Sequence, residues 1–207
     1  MFITAFLIAF FSTQVQASIF DKDDRLDTRF GSIEVQELAK SVPALVQSHR
    51  IKKLDDGRFE LLGTPMTKIG LCDEEVFSEE MNIANCSASF IGKDKIITAA
   101  HCLDEKSFSC RTYSAVFDYQ REEIPMRGPH ILDESQIYQC KRVIFAEFDT
   151  TLRGIDLAII QLDREVTGRT PINLQLDQKL RLNDPLTLIG YPMGISQKVV
   201  ENGKVTS

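Results

Sequence analysis

Cys86-Ser87-Ala88-Ser89-Phe90-Ile91-Gly92-Lys93-Asp94-Lys95-Ile96-Ile97-Thr98-Ala99-Ala100-His101-Cys102 is the most informative run in this chain. Two short apolar segments flank a Gly-Lys-Asp-Lys turn, which predicts a β-hairpin. The second segment ends on a histidine beside a cysteine, with another cysteine at the start of the run. A disulfide between Cys86 and Cys102 would staple the loop behind the imidazole. A lone histidine is more often structural than reactive. Here the small residues Ala99 and Ala100 leave room around the ring and the staple fixes it. His101 is therefore a candidate general base for a nucleophilic hydroxyl.

Asp156 is the second candidate. It opens Asp156-Leu157-Ala158-Ile159-Ile160-Gln161-Leu162, an almost continuous apolar run expected to form a central, buried strand. A carboxylate at the mouth of such a strand needs hydrogen-bond partners. An imidazole N–H would serve. Asp149 and Asp163 sit among polar residues and fit turn-capping roles instead.

The remaining pattern is also strand-rich. Residues 58–63, 113–119, 139–145, 185–191 and 198–200 read as strands, with a Pro-Met-Gly turn between the last two. Residues 35–46 mix helical spacing with Pro43 and predict a short helical turn followed by an edge strand. Residues 18–29 read as an exposed arm, 72–85 as an acidic loop, 120–136 as a polar excursion, and 163–171 as a linker. Many short strands punctuated by Gly and Pro indicate an all-β barrel or sandwich.

At 207 residues the chain has room for one domain or two small ones, and 43% hydrophobic content supplies a core. A net charge of −6 gives no basic footprint for nucleic acid. Residues 2–11 are apolar, and Val15-Gln16-Ala17 follows with small residues suited to signal-peptidase cleavage, although the n-region lacks Lys or Arg. That run is too short to span a bilayer, which takes roughly 20 apolar residues. The expectation is export to a secreted or periplasmic location, with cleavage near Ala17 and no membrane association afterwards. An uncleaved anchor is the alternative.

Export places the five cysteines where disulfides persist. Cys86 with Cys102 is the first expected pair, and closing a loop of about 15 residues is worth roughly 3 kcal/mol. Cys110 and Cys140 each flank a strand-like run and make the second. Cys72 is left over, which suggests a partner beyond residue 207.

Together, Thr98-Ala99-Ala100-His101-Cys102, the upstream Cys86-Ser87-Ala88 and the downstream Asp156-Leu157-Ala158 resemble the chymotrypsin/trypsin-like serine endopeptidases. Asp23-Asp24-Arg25 and Ile189-Gly190-Tyr191-Pro192 resemble the bacterial branch that includes the glutamyl endopeptidases. The resemblance implies a chymotrypsin-like double β-barrel with its site in the cleft. It implies His101 as base, Asp156 as its orienting carboxylate, a protein or peptide substrate and no cofactor. The implied layout is a signal peptide at 1–17 and an arm or removable pro-segment at 18–40. A complete first barrel follows at 41–165, then a linker and the opening strands of a second barrel at 166–207.

The family's serine is not evident. After Asp156 only Ser196 and Ser207 occur, neither in a Gly-x-Ser-Gly setting that would aim backbone N–H groups at an oxyanion. The chain reads as a portion ending before the nucleophile and inactive alone. A non-catalytic, protein-binding homologue and an inactive gene fragment are the alternatives. A second barrel left open should make the chain poorly soluble, and a version ending near Thr170 better behaved. A zinc cluster of His101, Cys102 and Cys110 has the wrong spacing. His49 and His130 read as surface histidines, and the 13 phenylalanines as barrel core.

Overall fold

The structure is a computed structural model that describes residues 23–103, 108–121, 129–151, 154–177 and 179–206. The expected signal peptide, part of the arm, part of the polar excursion and Ser207 lie outside the described residues. No helix among the described residues is long and apolar enough to cross a membrane.

Among the described residues the fold is β apart from one seven-residue helix, Ile33–Ala39, and short 3₁₀ turns. Ser32 caps that helix by accepting from the Val35 N–H at 3.4 Å. The largest sheet has seven antiparallel strands. Their spatial order is Cys86–Ser87, Ala44–Gln47, Tyr113–Val116, Ile137–Phe148, Asp156–Leu162, Lys95–Thr98 and Ser89–Gly92. The two outermost strands are consecutive in sequence, separated only by Ala88. The sheet must therefore curl until its edges meet, and the result is a nearly closed barrel. Inside it, Leu45, Phe90, Ile96, Phe117, Tyr138, Ala158, Ile160 and Leu162 form one core. Phe117 meets Phe90 and Tyr138 edge-on, at 6.4 and 5.5 Å between ring centroids.

A three-stranded sheet lies beside the barrel, in the order Leu26–Asp27, Lys198–Lys204, Pro185–Gly190. Val199 in this sheet, and Tyr191 and Ile195 in the connection between its strands Pro185–Gly190 and Lys198–Lys204, are buried. Tyr191 packs with Val42, Ala44, Val46, Ile83, Val116 and Tyr119 in a second core. Tyr119 and Tyr191 stack with rings 5.7 Å apart and nearly parallel.

Several sequence expectations change. The strand Ala44–Gln47 is not at an edge, since it pairs with Tyr113–Val116 on one side and Cys86–Ser87 on the other. Pro43 is accommodated because it sits just before the strand, where its carbonyl accepts from Ala88. The arm is not exposed from Asp27 onward, because Asp27 and Thr28 are buried against the three-stranded sheet. His130 is not a solvated surface residue. It lies on the strand His130–Leu132 with its ring edge-on to Tyr119 at 4.7 Å. Burial lowers its pKa to about 4, with Glu80 pulling it up and Lys198 pushing it down. The linker at 163–171 is docked. Arg164 reaches the carbonyls of Glu134 and Ile137, and Arg169 binds Asp118. His49 is exposed, as expected.

Candidate active site

The hairpin forms as the sequence implies. Ser89–Gly92 and Lys95–Thr98 pair antiparallel, and Gly92 and Lys93 adopt positive φ of 131° and 48° at the turn. Asp94 ties the turn to the neighbouring strand by accepting from Gln161 at 2.6 Å, and it accepts from Lys95 at 2.9 Å. These bonds hold its carboxyl down at about 2.

Register then does the positioning. Thr98 stands opposite Ala158 in the pairing of Lys95–Thr98 with Asp156–Leu162. The two strands run in opposite directions, so the residues just after Thr98 and just before Ala158 meet at one end of the sheet. His101 follows Thr98 in the 3₁₀ turn Ala100–Cys102, and Asp156 precedes Ala158. The His101 N–H donates to Asp156 Oδ1 at 3.0 Å, and Nδ1 lies 2.5 Å from Oδ2. One carboxylate thus grips both the backbone and the ring of the same residue. The ring bond lowers the Asp156 pKa most, followed by the backbone bond. The carboxyl therefore stays ionised at neutral pH.

Asp156 is not at a buried strand mouth. Its side chain is 34% exposed and that of His101 52%. The strand alternates instead, with Ala158, Ile160 and Leu162 buried and the residues between them half-buried. Hydrogen bonding, and not desolvation, brings the carboxylate to the imidazole.

The surrounding parts fix the ring. Cys86 is bonded to Cys102, with their Cα atoms 6.0 Å apart, which anchors the 3₁₀ turn to the first strand of the run. The Thr98 hydroxyl donates to the Ser87 carbonyl at 2.8 Å, and Ala100 is fully buried. Cys110, just before the strand Tyr113–Val116, is bonded to Cys140 on the neighbouring strand Ile137–Phe148. Cys72 is exposed and not in a disulfide.

Phe148, which the sequence reading passed over, is paired with Asp156 in the sheet. Its ring sits 6.2 Å from that of His101. Its signal was an aromatic at the end of an otherwise polar-facing strand, too common to single out.

The other candidates fall away from this site. Asp149 caps a local turn by accepting from Thr151 at 2.9 and 3.0 Å, and Asp163 accepts from the Gln139 N–H. Ser196 is fully buried and bound to Glu80 and Lys198. The sulfur atoms of Cys86 and Cys102 lie close to the His101 ring, but both are spent in the disulfide and offer no thiolate. The His101, Cys102 and Cys110 grouping that the spacing already argued against offers no free thiol either, since Cys110 is also bonded.

No curated protein matches the sequence. Among solved structures, the chain is similar to the VesB protease of Vibrio cholerae at 15% identity and a TM-score of 0.49. That match covers 86% of this chain and 43% of that one. It is also similar to the secreted serine protease VesC of Vibrio cholerae (14% identity, TM-score 0.46, 78% of this chain and 28% of that one). Neuropsin, a serine protease from mouse brain, matches at 14% identity and a TM-score of 0.47, over 82% of this chain and 60% of that one. The chain thus spans less than two thirds of the length of each of these proteins. The span from Cys86 to the end carries the stapled histidine and the gripping carboxylate. That same span, residues 86–207, matches the family described as trypsin-like peptidase domain, and the chain belongs to that family.

Proposed function

We propose that this chain is the base-and-carboxylate portion of an exported serine endopeptidase that hydrolyses peptide bonds in protein substrates. The observation that carries this reading is the double grip of Asp156 on the N–H and the ring of His101. Nδ1 is engaged by the carboxylate, which leaves Nε2 as the nitrogen able to take a proton. In the reaction His101 would accept the proton of a serine hydroxyl as it attacks the scissile carbonyl. It would then return that proton to the leaving amine. Asp156 would hold the tautomer and stabilise the imidazolium while remaining ionised. The serine and its oxyanion donors would come from sequence outside these residues. The exported location rests on the apolar start of the chain and on two disulfides.

The test is peptide hydrolysis and fluorophosphonate labelling by the intact secreted protein. His101→Ala is expected to abolish both, and Asp156→Asn to lower kcat on the order of 10³–10⁴-fold. Unchanged hydrolysis in either variant would overturn the reading. Residues 1–207 alone are expected not to label, because the Ser196 hydroxyl is buried and held by Glu80. An intact protein that never labels, yet binds a protein partner, would favour the non-catalytic homologue.

A further inference from the structure

A cluster of buried charge lies away from His101, where distant parts of the chain converge. Lys198, with a side chain 2% exposed, places Nζ 2.8 Å from Asp27 Oδ1 and 2.8 Å from Glu80 Oε1. It also donates to the Ser196 hydroxyl at 2.7 Å and lies over the Phe77 ring at 4.7 Å. Glu80, fully buried, accepts from the Ser196 N–H at 3.0 Å and from its hydroxyl at 2.6 Å. Arg121 approaches its other oxygen at 3.4 Å. Lys198 is thus held between two carboxylates, while Asp27 also pairs with Arg29 at 3.7 Å and Arg121 with Glu79 at 3.6 Å. Without Asp27, the buried Lys198 ammonium would lose one of its two carboxylate partners, an unfavourable state for a group so enclosed.

Asp27 sits in the segment that the sequence left open as a removable pro-segment. From Leu26 onward that segment is woven into the fold. Leu26 and Asp27 pair with Val199 and Lys198. The Thr28 hydroxyl donates to Gln197 Oε1 at 3.0 Å, and the Ser32 N–H to Glu201 at 2.5 Å. Gln197 in turn donates to the carbonyls of Ala39 and Val42. At its far end, the Ser41 hydroxyl donates to the Thr170 carbonyl at 2.5 Å.

We infer that residues 26–41 are a permanent clasp between the three-stranded sheet and the barrel, locked by the Asp27–Lys198 pair, and that any maturation cleavage falls before Leu26. The first check is the N-terminus of the secreted full-length protein by sequencing and intact mass. It is expected between residues 18 and 26, and a start downstream of Asp27 would overturn the clasp. The second is brief trypsin treatment of the native protein. The Arg29–Phe30 bond is expected to resist cleavage while the fold persists. Release of residues up to Arg29 from a protein that stays folded and monodisperse would sink the idea.

The third check is a double-mutant cycle read by urea unfolding. Asp27→Asn and Lys198→Met should each lower the folded-to-unfolded ratio by at least about 100-fold. The pair together should lose clearly less than the product of the two. Multiplicative losses would show that the two groups do not act on one another. Should a single variant fail to accumulate, the sequencing and trypsin results stand on the unmutated protein.

Discussion

A carboxylate that accepts from both the backbone and the ring of one histidine is stable only while it is charged. The lowered pKa of Asp156 means its contribution is full above about 3.8 and is lost as pH falls through its folded value. His130 acts earlier in an acid titration. Its folded pKa of about 4 lies below the ordinary 6.5, so the unfolded chain takes up that proton first. Stability is therefore intact above pH 6.5 and declines as pH drops toward 4, by roughly 2–3 kcal/mol from this residue. His130→Phe keeps an aromatic edge against Tyr119 without the titration. Its unfolding free energy is expected to fall less between pH 6.5 and 4 than that of the parent. An unchanged slope by urea unfolding at several pH values would refute this. The sequence could show His101 because cysteine and small residues surround it. It could not show His130, because nothing adjacent in the chain announces that Tyr119 will cover it.

Between residue and molecule, the elements are held by two kinds of fastening. The Cys86–Cys102 bond closes a short loop, and its replacement by Ala at both positions is expected to cost about 3 kcal/mol in thermal or urea unfolding. Oxidised and reduced parent protein should differ by at least that amount. The turn Pro192–Gly194 is the other fastening. The Gly194 carbonyl accepts from Ile83 and Ala84, and Asn82 donates to the Met193 carbonyl. Gly194 has φ of 74°, and a Cβ there would press into the Ala84 carbonyl. Gly194→Ala should destabilise by roughly 2–4 kcal/mol, measured by urea unfolding, and a neutral outcome would mean the turn does not dock. Strand existence was legible from alternation and turn residues. Strand neighbours were not: Ala44–Gln47 looks like an edge beside Pro43, yet it has a partner on each side.

At the scale of the whole molecule, the expectation that a version ending near Thr170 would behave better does not survive the packing. Such a cut removes Tyr191, Ile195, Gln197 and Lys198, all buried. It uncovers Val42, Ile83 and Tyr119 and strands the Glu80 and Asp27 carboxylates without Lys198. The shorter chain is now expected to be the less soluble of the two by size-exclusion chromatography, and better behaviour would contradict this account. The all-β class was legible because alternation is a local signal. The charge cluster was not, since Asp27, Glu80 and Lys198 meet only after folding and each reads locally as an ordinary surface charge. His101 and Asp156 hang from adjacent strands that hydrogen-bond directly to each other. The His101–Asp156 pair is therefore assembled as soon as that sheet closes. On the proposed function, control over such a catalyst would belong to delivery of the nucleophile, since its base would be built in advance and waiting.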